Sequence, residues 1–271
     1  MITFPNAKIN LGLYVERKRE DGYHDLSTVF YPIPLTDAVE VVEAKETALF
    51  TYGNPVDCPP EKNLVMKAYR LMEEEFKLPP VAIHLYKHIP DGAGLGGGSS
   101  DATSVAKILN SMFALGLSEE EIAVRVKRLG ADCPFFAYNR PMAARGIGDL
   151  LEPVDVDLRG YTMIVVKPDV SVPTAAAYAG VTPRVPENDV EKLVAKPVGQ
   201  WKGLLVNDFE ESIFPKHPEL SAIKQSLYDA GAVYASMSGS GSAIFGLFED
   251  DNLSDIFAAK CAQPLLYKMK L

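Results

Sequence analysis

His88-Ile89-Pro90-Asp91-Gly92-Ala93-Gly94-Leu95-Gly96-Gly97-Gly98-Ser99-Ser100-Asp101-Ala102-Thr103-Ser104-Val105-Ala106-Lys107-Ile108-Leu109-Asn110 is the stretch on which the fold turns. Before it, Val81, Ile83 and Leu85 alternate with Ala82, His84 and Tyr86, the period of a strand. After it, Ala102, Val105, Ala106 and Leu109 recur at helical spacing, and Ser99, Ser100 and Asp101 are N-cap candidates. Between strand and helix lie Gly92, Gly94, Gly96, Gly97 and Gly98. Glycine admits a positive φ and lets another group come close to the backbone. Such a loop feeding a helix N-terminus offers free N–H groups at the positive end of the helix dipole, which suits a phosphate. A plain turn does not need so many glycines followed by Ser-Ser.

Several phosphate loops fail on their own terms. Walker A ends in Gly-Lys-Ser/Thr, and here Gly98 stands where the lysine belongs. Gly92-x-Gly94-x-x-Gly97 matches the dinucleotide fingerprint, which leaves a nicotinamide-dependent oxidoreductase open. However, the chain beyond Asn110 continues as a second helix, without the strand that would carry the ribose-binding acid. Neither His-Arg-Asp nor Asp-Phe-Gly occurs, which argues against a protein kinase.

The 271 residues are 47% apolar and 23% charged, so one large domain or two modest ones are expected, and either arrangement can bury a real core. A net charge of −9 argues against broad nucleic-acid or membrane-surface binding. With neither a long apolar run nor a leader pattern, a cytoplasmic protein is expected. Cys58, Cys133 and Cys261 are scattered and suggest neither a disulfide framework nor a zinc site. Cys133 reads as a buried small residue sooner than as a reactive thiol. His84 and His88 share a strand face with Tyr86, about 13 Å apart and too far for one metal; no metal site is expected.

At the N-terminus Ile9, Leu11, Leu13 and Val15 alternate with Lys8, Asn10, Gly12 and Tyr14. Taken alone, this is a half-buried strand whose polar face meets water. A charged turn, Arg17 to Gly22, leads to Tyr23 and His24, residues able to stack on a ring or to sit in an ordinary strand. Val39–Val42 and Thr47–Tyr52 read as strands, and Asn63–Phe76 as an amphipathic helix. Ser118-Glu119-Glu120-Glu121 is a capping box opening a helix that Gly130 stops. Asp132 either caps a short second helix or does chemistry. From about Asp155 the order is strand (Tyr161–Val166), helix (Glu219–Tyr228), strands (Val233–Met237, Ala243–Phe248), helix (Leu253–Ala262), strand (Leu265–Met269), the ferredoxin-like β-α-β-β-α-β arrangement. A short helix over Pro173–Ala179 and a proline-bearing surface excursion over Val181–Gln200 interrupt it.

Pro90 to Asp101 resembles, residue by residue, the Pro-x-x-x-Gly-Leu-Gly-Gly-Gly-Ser-Ser motif of the GHMP kinases (galactokinase, homoserine kinase, mevalonate kinase, phosphomevalonate kinase). Ala7-Lys8-Ile9-Asn10-Leu11 with Arg19 to His24 is similar to the branch whose acceptor is a cytidine-diphosphate-linked polyol of the non-mevalonate isoprenoid route. Gly130-Ala131-Asp132-Cys133-Pro134-Phe135-Phe136, Gly146-Ile147-Gly148-Asp149 and Ser238-Gly239-Ser240-Gly241 resemble further motifs of the family in order. The chain departs from the usual pattern at Asn6 (proline), Cys133 (aliphatic) and Thr103 (alanine). Asn207-Asp208-Phe209-Glu210 matches by resemblance too, with no role that its chemistry assigns.

The resemblance implies an α+β, two-domain GHMP kinase fold. Its N-terminal mixed α/β domain, residues 1–155, would be of the ribosomal-protein-S5-domain-2-like type, and residues 156–271 a C-terminal ferredoxin-like domain. ATP would be held by Asn63, Leu64, Pro90, Gly92, Gly94, Leu95, Gly96, Gly97, Gly98, Ser99 and Ser100, with Mg²⁺ on its phosphates. Lys8 and Asp132 would be catalytic, and Asn10, Tyr23, His24, Thr174, Tyr178, Gly239 and Ser240 would bind the cytidine-diphosphate substrate. A monomer or homodimer is expected. Other members of the family and a non-catalytic ATP-binding module stay open beside this reading.

Overall fold

The computed structural model describes residues 1–261, 263 and 265–271. In chain order its strands are β1 (Ile2–Thr3), β2 (Asn6–Lys18), β3 (His24–Thr36), β4 (Ala38–Glu43), β5 (Ala48–Gly53), β6 (Val81–Lys87), β7 (Met142–Arg145), β8 (Leu150–Pro153), β9 (Thr162–Lys167), β10 (Tyr234–Met237), β11 (Ile244–Phe248) and β12 (Leu265–Lys270). Its helices are α1 (Leu64–Phe76), α2 (Gly97–Met112), α3 (Glu119–Val126), α4 (Cys133–Tyr138), α5 (Thr174–Gly180), α6 (Val190–Val194), α7 (Phe209–Ile213), α8 (Pro218–Asp229) and α9 (Asp251–Lys260). The expected end of the last helix, Ala262, lies outside the described residues.

Two compact units form. The first takes Met1–Ala7, Leu35–Asp91 and Gly96–Arg140; the second takes Lys8–Pro34, Gly92–Leu95 and Pro141–Leu271. A single cut after residue 155 divides the chain differently, since residues 8–34 and 141–155 pack with the C-terminal part.

The first unit is a mixed sheet, β1-β4-β6-β5, in which β5 runs parallel to β6 and the other pairs are antiparallel. Val39, Val41, Val81, Ile83 and Leu85 line its buried face, under Val65, Ala68, Tyr69 and Met72 of α1 and Ala102, Val105 and Leu109 of α2. Asn63 caps α1, its Oδ1 accepting from Val65 N at 3.1 Å, and Lys77 ends it in the left-handed conformation. The Ser118–Glu121 capping box forms in both directions. On the sheet's open face His84 stacks on Phe50 at 4.9 Å and Tyr52 at 6.1 Å, so the polar face read from sequence is partly packed.

The second unit holds the sheets β2-β3-β7-β8 and β10-β11-β9-β12. The latter is wholly antiparallel, with strand order 2-3-1-4 counted along the C-terminal part, which is the ferredoxin-like order. Its first strand is buried on both faces, hence the unbroken apolar run Met163–Val166. Two expectations change here. Lys8, Asn10 and Tyr14 on β2 do not meet water: they are 3%, 2% and 6% exposed, because β3 and the segment before Asn207 cover that face. The stretch 181–200 is not simply a surface excursion, since α6 buries Val190, Leu193 and Val194 despite the prolines around it.

Candidate active site

Helix α2 begins at Gly97, with Gly96 as its N-cap at φ +71. Ser99 and Ser100 therefore lie within the first turn and Asp101 just beyond it, and none of them precedes the helix. The positive φ of Gly94 and Gly96 turns the chain into the helix earlier than the serines suggested. Gly96 has no side chain with which to cap this end, so its N-cap position leaves first-turn N–H groups to a phosphate. A side chain at Gly97 would meet Ile89 Cγ2 at 2.9 Å, whereas Gly98 is open, with only Leu64 Cδ1 at 3.6 Å. Gly98 is exposed, Ser99 half-buried and Ser100 buried. This set fits a triphosphate: bare backbone donors, two hydroxyls and room beside them. Among the described residues no group of three or more His, Cys, Asp or Glu could hold a metal. A divalent ion in such a site takes most of its ligands from phosphate oxygens and water.

Beneath this turn lies a buried ionic group that sequence reading missed. Lys87 Nζ donates to Asp101 Oδ2 at 2.7 Å and to Asp37 Oδ2. Asp37 Oδ1 accepts the His88 and Ile89 amides, which fixes the chain as it leaves β6. Burial pushes the Asp101 carboxyl up to about 8, against the pull of Lys87. Burial also works against the Lys87 charge, but the two carboxylates outweigh it and hold its pKa above the ordinary value.

Asp132, in the same unit, occupies the N-cap position of α4 but makes no capping hydrogen bond. A purely capping role therefore has no bond to rest on. Beside it burial pushes the Cys133 thiol up to about 11, so this cysteine is inert. Thr103 Oγ1 donates to Cys133 O at 3.0 Å, tying together two of the positions that depart from the family pattern.

In the second unit β2 carries Lys8 and Asn10. Lys8 Nζ donates to Asn10 Oδ1 at 2.7 Å and stands 4.8 Å over the Phe30 ring. Asn10 Nδ2 donates to Thr28 Oγ1 at 2.9 Å, and Thr28 Oγ1 in turn donates a hydrogen bond to Gly12 O. The Asn10 amide is thus oriented by β3, an element with no clear sequence signal. Lys8 N also donates to Leu95 O at 2.9 Å, stitching this strand to the arm Gly92–Leu95 of the glycine loop.

That arm lies against the Ser238–Gly241 loop, backbone to backbone. A Cβ on Gly94 would fall 1.9 Å from Ser238 O, and one on Gly241 2.2 Å from Gly94 N. Ser238 Oγ donates to Gly94 O at 3.0 Å, and Ala243 N to Ala93 O at 3.1 Å. A Cβ on Gly239 would stand 3.4 Å from Asn10 Oδ1, and Ser240 Oγ donates to Thr174 Oγ1 at 3.4 Å. His24 stacks on Tyr178 with centroids 5.0 Å apart, and Tyr178 sets its edge on Phe209. Burial, then the Lys18 charge, holds His24 below the ordinary histidine range, so its ring is neutral at pH 7. Tyr23 is 61% exposed.

The candidates thus fall into two sets. Asn63, Leu64, Pro90, Gly96 to Ser100 and Asp132 belong to the first unit; Lys8, Asn10, Tyr23, His24, Gly92, Gly94, Leu95, Thr174, Tyr178, Gly239 and Ser240 belong to the second.

Known proteins share this organisation. The family model for the GHMP kinases N terminal domain matches residues 63–140, and that for GHMP kinases C terminal matches 190–264. The chain is 52% identical over 255 residues to a "4-diphosphocytidyl-2-C-methyl-D-erythritol kinase" of Bacteroides thetaiotaomicron, covering 93% of each. It is 46% identical over 272 residues to one of Cytophaga hutchinsonii, covering 98% of this chain and all of that one. A crystal structure of a 4-(cytidine 5'-diphospho)-2C-methyl-D-erythritol kinase superposes with a TM-score of 0.84 at 34% identity, over 99% of this chain and 98% of the other. The Methanococcus jannaschii mevalonate kinase shares the fold, with a TM-score of 0.74 at 15% identity over 100% and 98%. Bare helix donors behind a glycine loop, both family domains in order and near-full-length relatives agree: the chain belongs to the GHMP kinases.

Proposed function

We propose that this protein is an ATP-dependent small-molecule kinase. It phosphorylates the 2-hydroxyl of 4-diphosphocytidyl-2-C-methyl-D-erythritol, giving the 2-phosphate and ADP in the non-mevalonate route to isoprenoid precursors. The observation that carries this is the 52% identity, over 93% of both chains, to a relative named for that substrate. The neutral, stacked His24–Tyr178 pair supports it, since a nucleobase needs a flat apolar face beside hydrogen-bonding edges.

Phosphoryl transfer asks the protein chiefly for positioning and charge stabilisation. The bare first turn of α2 and the Ser99 and Ser100 hydroxyls hold the triphosphate of ATP, and Asn63 and Leu64 lie at its adenine end. Mg²⁺, when bound, neutralises charge on the phosphate oxygens. Asp132 accepts the proton of the acceptor hydroxyl. Lys8, oriented by Asn10, offsets the charge that develops there. Tyr23, His24 and Tyr178 receive the cytosine, and Thr174, Gly239 and Ser240 the remainder of the acceptor. The protein works in the cytoplasm, where ATP and Mg²⁺ are supplied, as a monomer or homodimer.

The test mixes purified protein, ATP, Mg²⁺ and one acceptor at a time, and follows ADP. Release with the cytidyl substrate and none with mevalonate or homoserine is the expected result. Release with mevalonate or homoserine instead would discard the cytosine pocket, and ATP binding without turnover of any acceptor would discard the kinase.

A further inference from the structure

Asn207-Asp208-Phe209-Glu210 matched the family by sequence without any job that its chemistry assigned. The structure gives it one. Asn207 is 3% exposed, and every polar atom of its carboxamide is engaged. Nδ2 donates to Met237 O at 2.9 Å and to Gly239 O at 2.8 Å, while Oδ1 accepts from Phe209 N at 3.0 Å. The two carbonyls flank Ser238. Two donors facing two carbonyls fix the amide's orientation, because the flipped amide would set an oxygen against both.

Its neighbours bind the flanking elements. Leu13 N donates to Val206 O and Asp208 N to Leu13 O, each at 2.8 Å, so the segment forms a parallel bridge on β2. Asp208 Oδ2 accepts from Val15 N at 2.8 Å. Glu210 Oε1 accepts from Met237 N at 2.8 Å, and its Oε2 from Lys224 at 2.5 Å. Four consecutive residues therefore hold the strand that bears Lys8 and Asn10, the end of β10, and the loop after β10. That loop in turn touches the Gly92–Leu95 arm through Ser238 Oγ and through the two glycines that leave no room for a Cβ.

We infer that Asn207–Glu210 is a clasp that sets the Ser238–Gly241 loop, and through it the Gly92–Leu95 arm of the phosphate loop, in register with the Lys8 strand, and that Asn207 is its positioning residue. Asn207 has no amide group left for a ligand. It acts through the two carbonyls, Ser238 and Gly94. Only the kinetic readout of this inference rests on the kinase reading.

The isosteric Asn207→Asp puts a carboxylate oxygen against two buried carbonyls and removes both donors, which is costly where water cannot replace them. Ser238→Ala removes only the side-chain bond from this loop to Gly94 O and leaves that from Ala243 N to Ala93 O. The experiment measures amide hydrogen exchange of peptides covering 92–95 and 237–241, along with Tm, kcat and KM for ATP, on both variants and wild type. For Asn207→Asp, exchange is expected to rise about tenfold or more in both peptides, with a similar fall in kcat and a rise in KM for ATP. Peptides of α1 and α3 should keep wild-type protection. Ser238→Ala is expected to raise exchange at 92–95 and leave 237–241 protected. Wild-type exchange at 92–95 in both variants overturns the inference. So does a uniform rise over the whole chain in Asn207→Asp without a response of 92–95 to Ser238→Ala. If Asn207→Asp does not fold, Ser238→Ala alone decides, by the same criterion at 92–95. A wild-type protein that turns over no acceptor sinks the kinase reading but leaves the exchange comparison intact.

Discussion

Tyr178 stacks on His24 and turns its own edge-on neighbour, Phe209, into a wall behind it. Phe209 is 1% exposed, so the wall is rigid and the stack is preorganised. Replacing Tyr178 with Ala is expected to weaken binding of cytidine diphosphate by about 1–3 kcal/mol, the usual value of a base–aromatic stack. Titration calorimetry with the nucleotide measures it, and an unchanged affinity removes Tyr178 from the pocket. At this scale the sequence spoke unevenly. The residue types at Lys8, Asn10 and His24 stand out in a strand and turn, but their burial does not. Alternation predicts which face of β2 a side chain takes and says nothing of what lies over that face. Thr28, which orients Asn10, is one hydroxyl among many until β3 is laid beside β2. Asn6, where the family pattern has proline, accepts from Asn139 Nδ2 at 2.8 Å, a contact that proline could not make.

At the scale of elements, α2 starts on a glycine and stands on a buried salt link that holds one carboxylate too many for its single lysine. Asp101 Oδ1 is buried without a partner, which leaves desolvation uncompensated on that side. Its folded pKa, about 8, lies above the ordinary carboxyl value. Such a group favours the fold while protonated. Its contribution is complete below about pH 4 and is lost as pH rises through about 8. Asp101→Asn keeps the size and drops the charge, so its Tm is expected to fall less than that of wild type between these limits. Thermal unfolding over that range measures this, and parallel curves for the two proteins would place the titration elsewhere. Elements with long, clean periodicity were legible: α1, α3 with its capping box, and the ferredoxin-like strands. β3 was not, because Pro32 and Pro34 argue against a central strand. In fact it pairs with β7 only at Thr28, Val29 and Phe30, so the prolines fall beyond that ladder.

For the molecule as a whole, the change of rhythm near residue 155 is visible in sequence, yet compactness follows another line. Asp208 and Val15, 193 positions apart, share a hydrogen bond, and Leu13 and Val15 sit in one core with Ile164, Val166 and Phe209. No local period announces such a contact. A fragment of residues 156–271 therefore lacks part of its own core. Made alone, it is expected to bind the dye ANS and to lose near-ultraviolet dichroism, and adding residues 1–155 should reverse both. A cooperatively folded isolated fragment would show that β2 is dispensable to it.

The chain passes from one unit to the other after Ala7, Pro34, Asp91, Leu95 and Arg140. For heredity, this braiding means that genetic recombination has no clean seam to use. A crossover anywhere between codons 8 and 140 hands the offspring gene mismatched portions of both units, and one that falls between codons 92 and 98 cuts the glycine loop itself into two lineages.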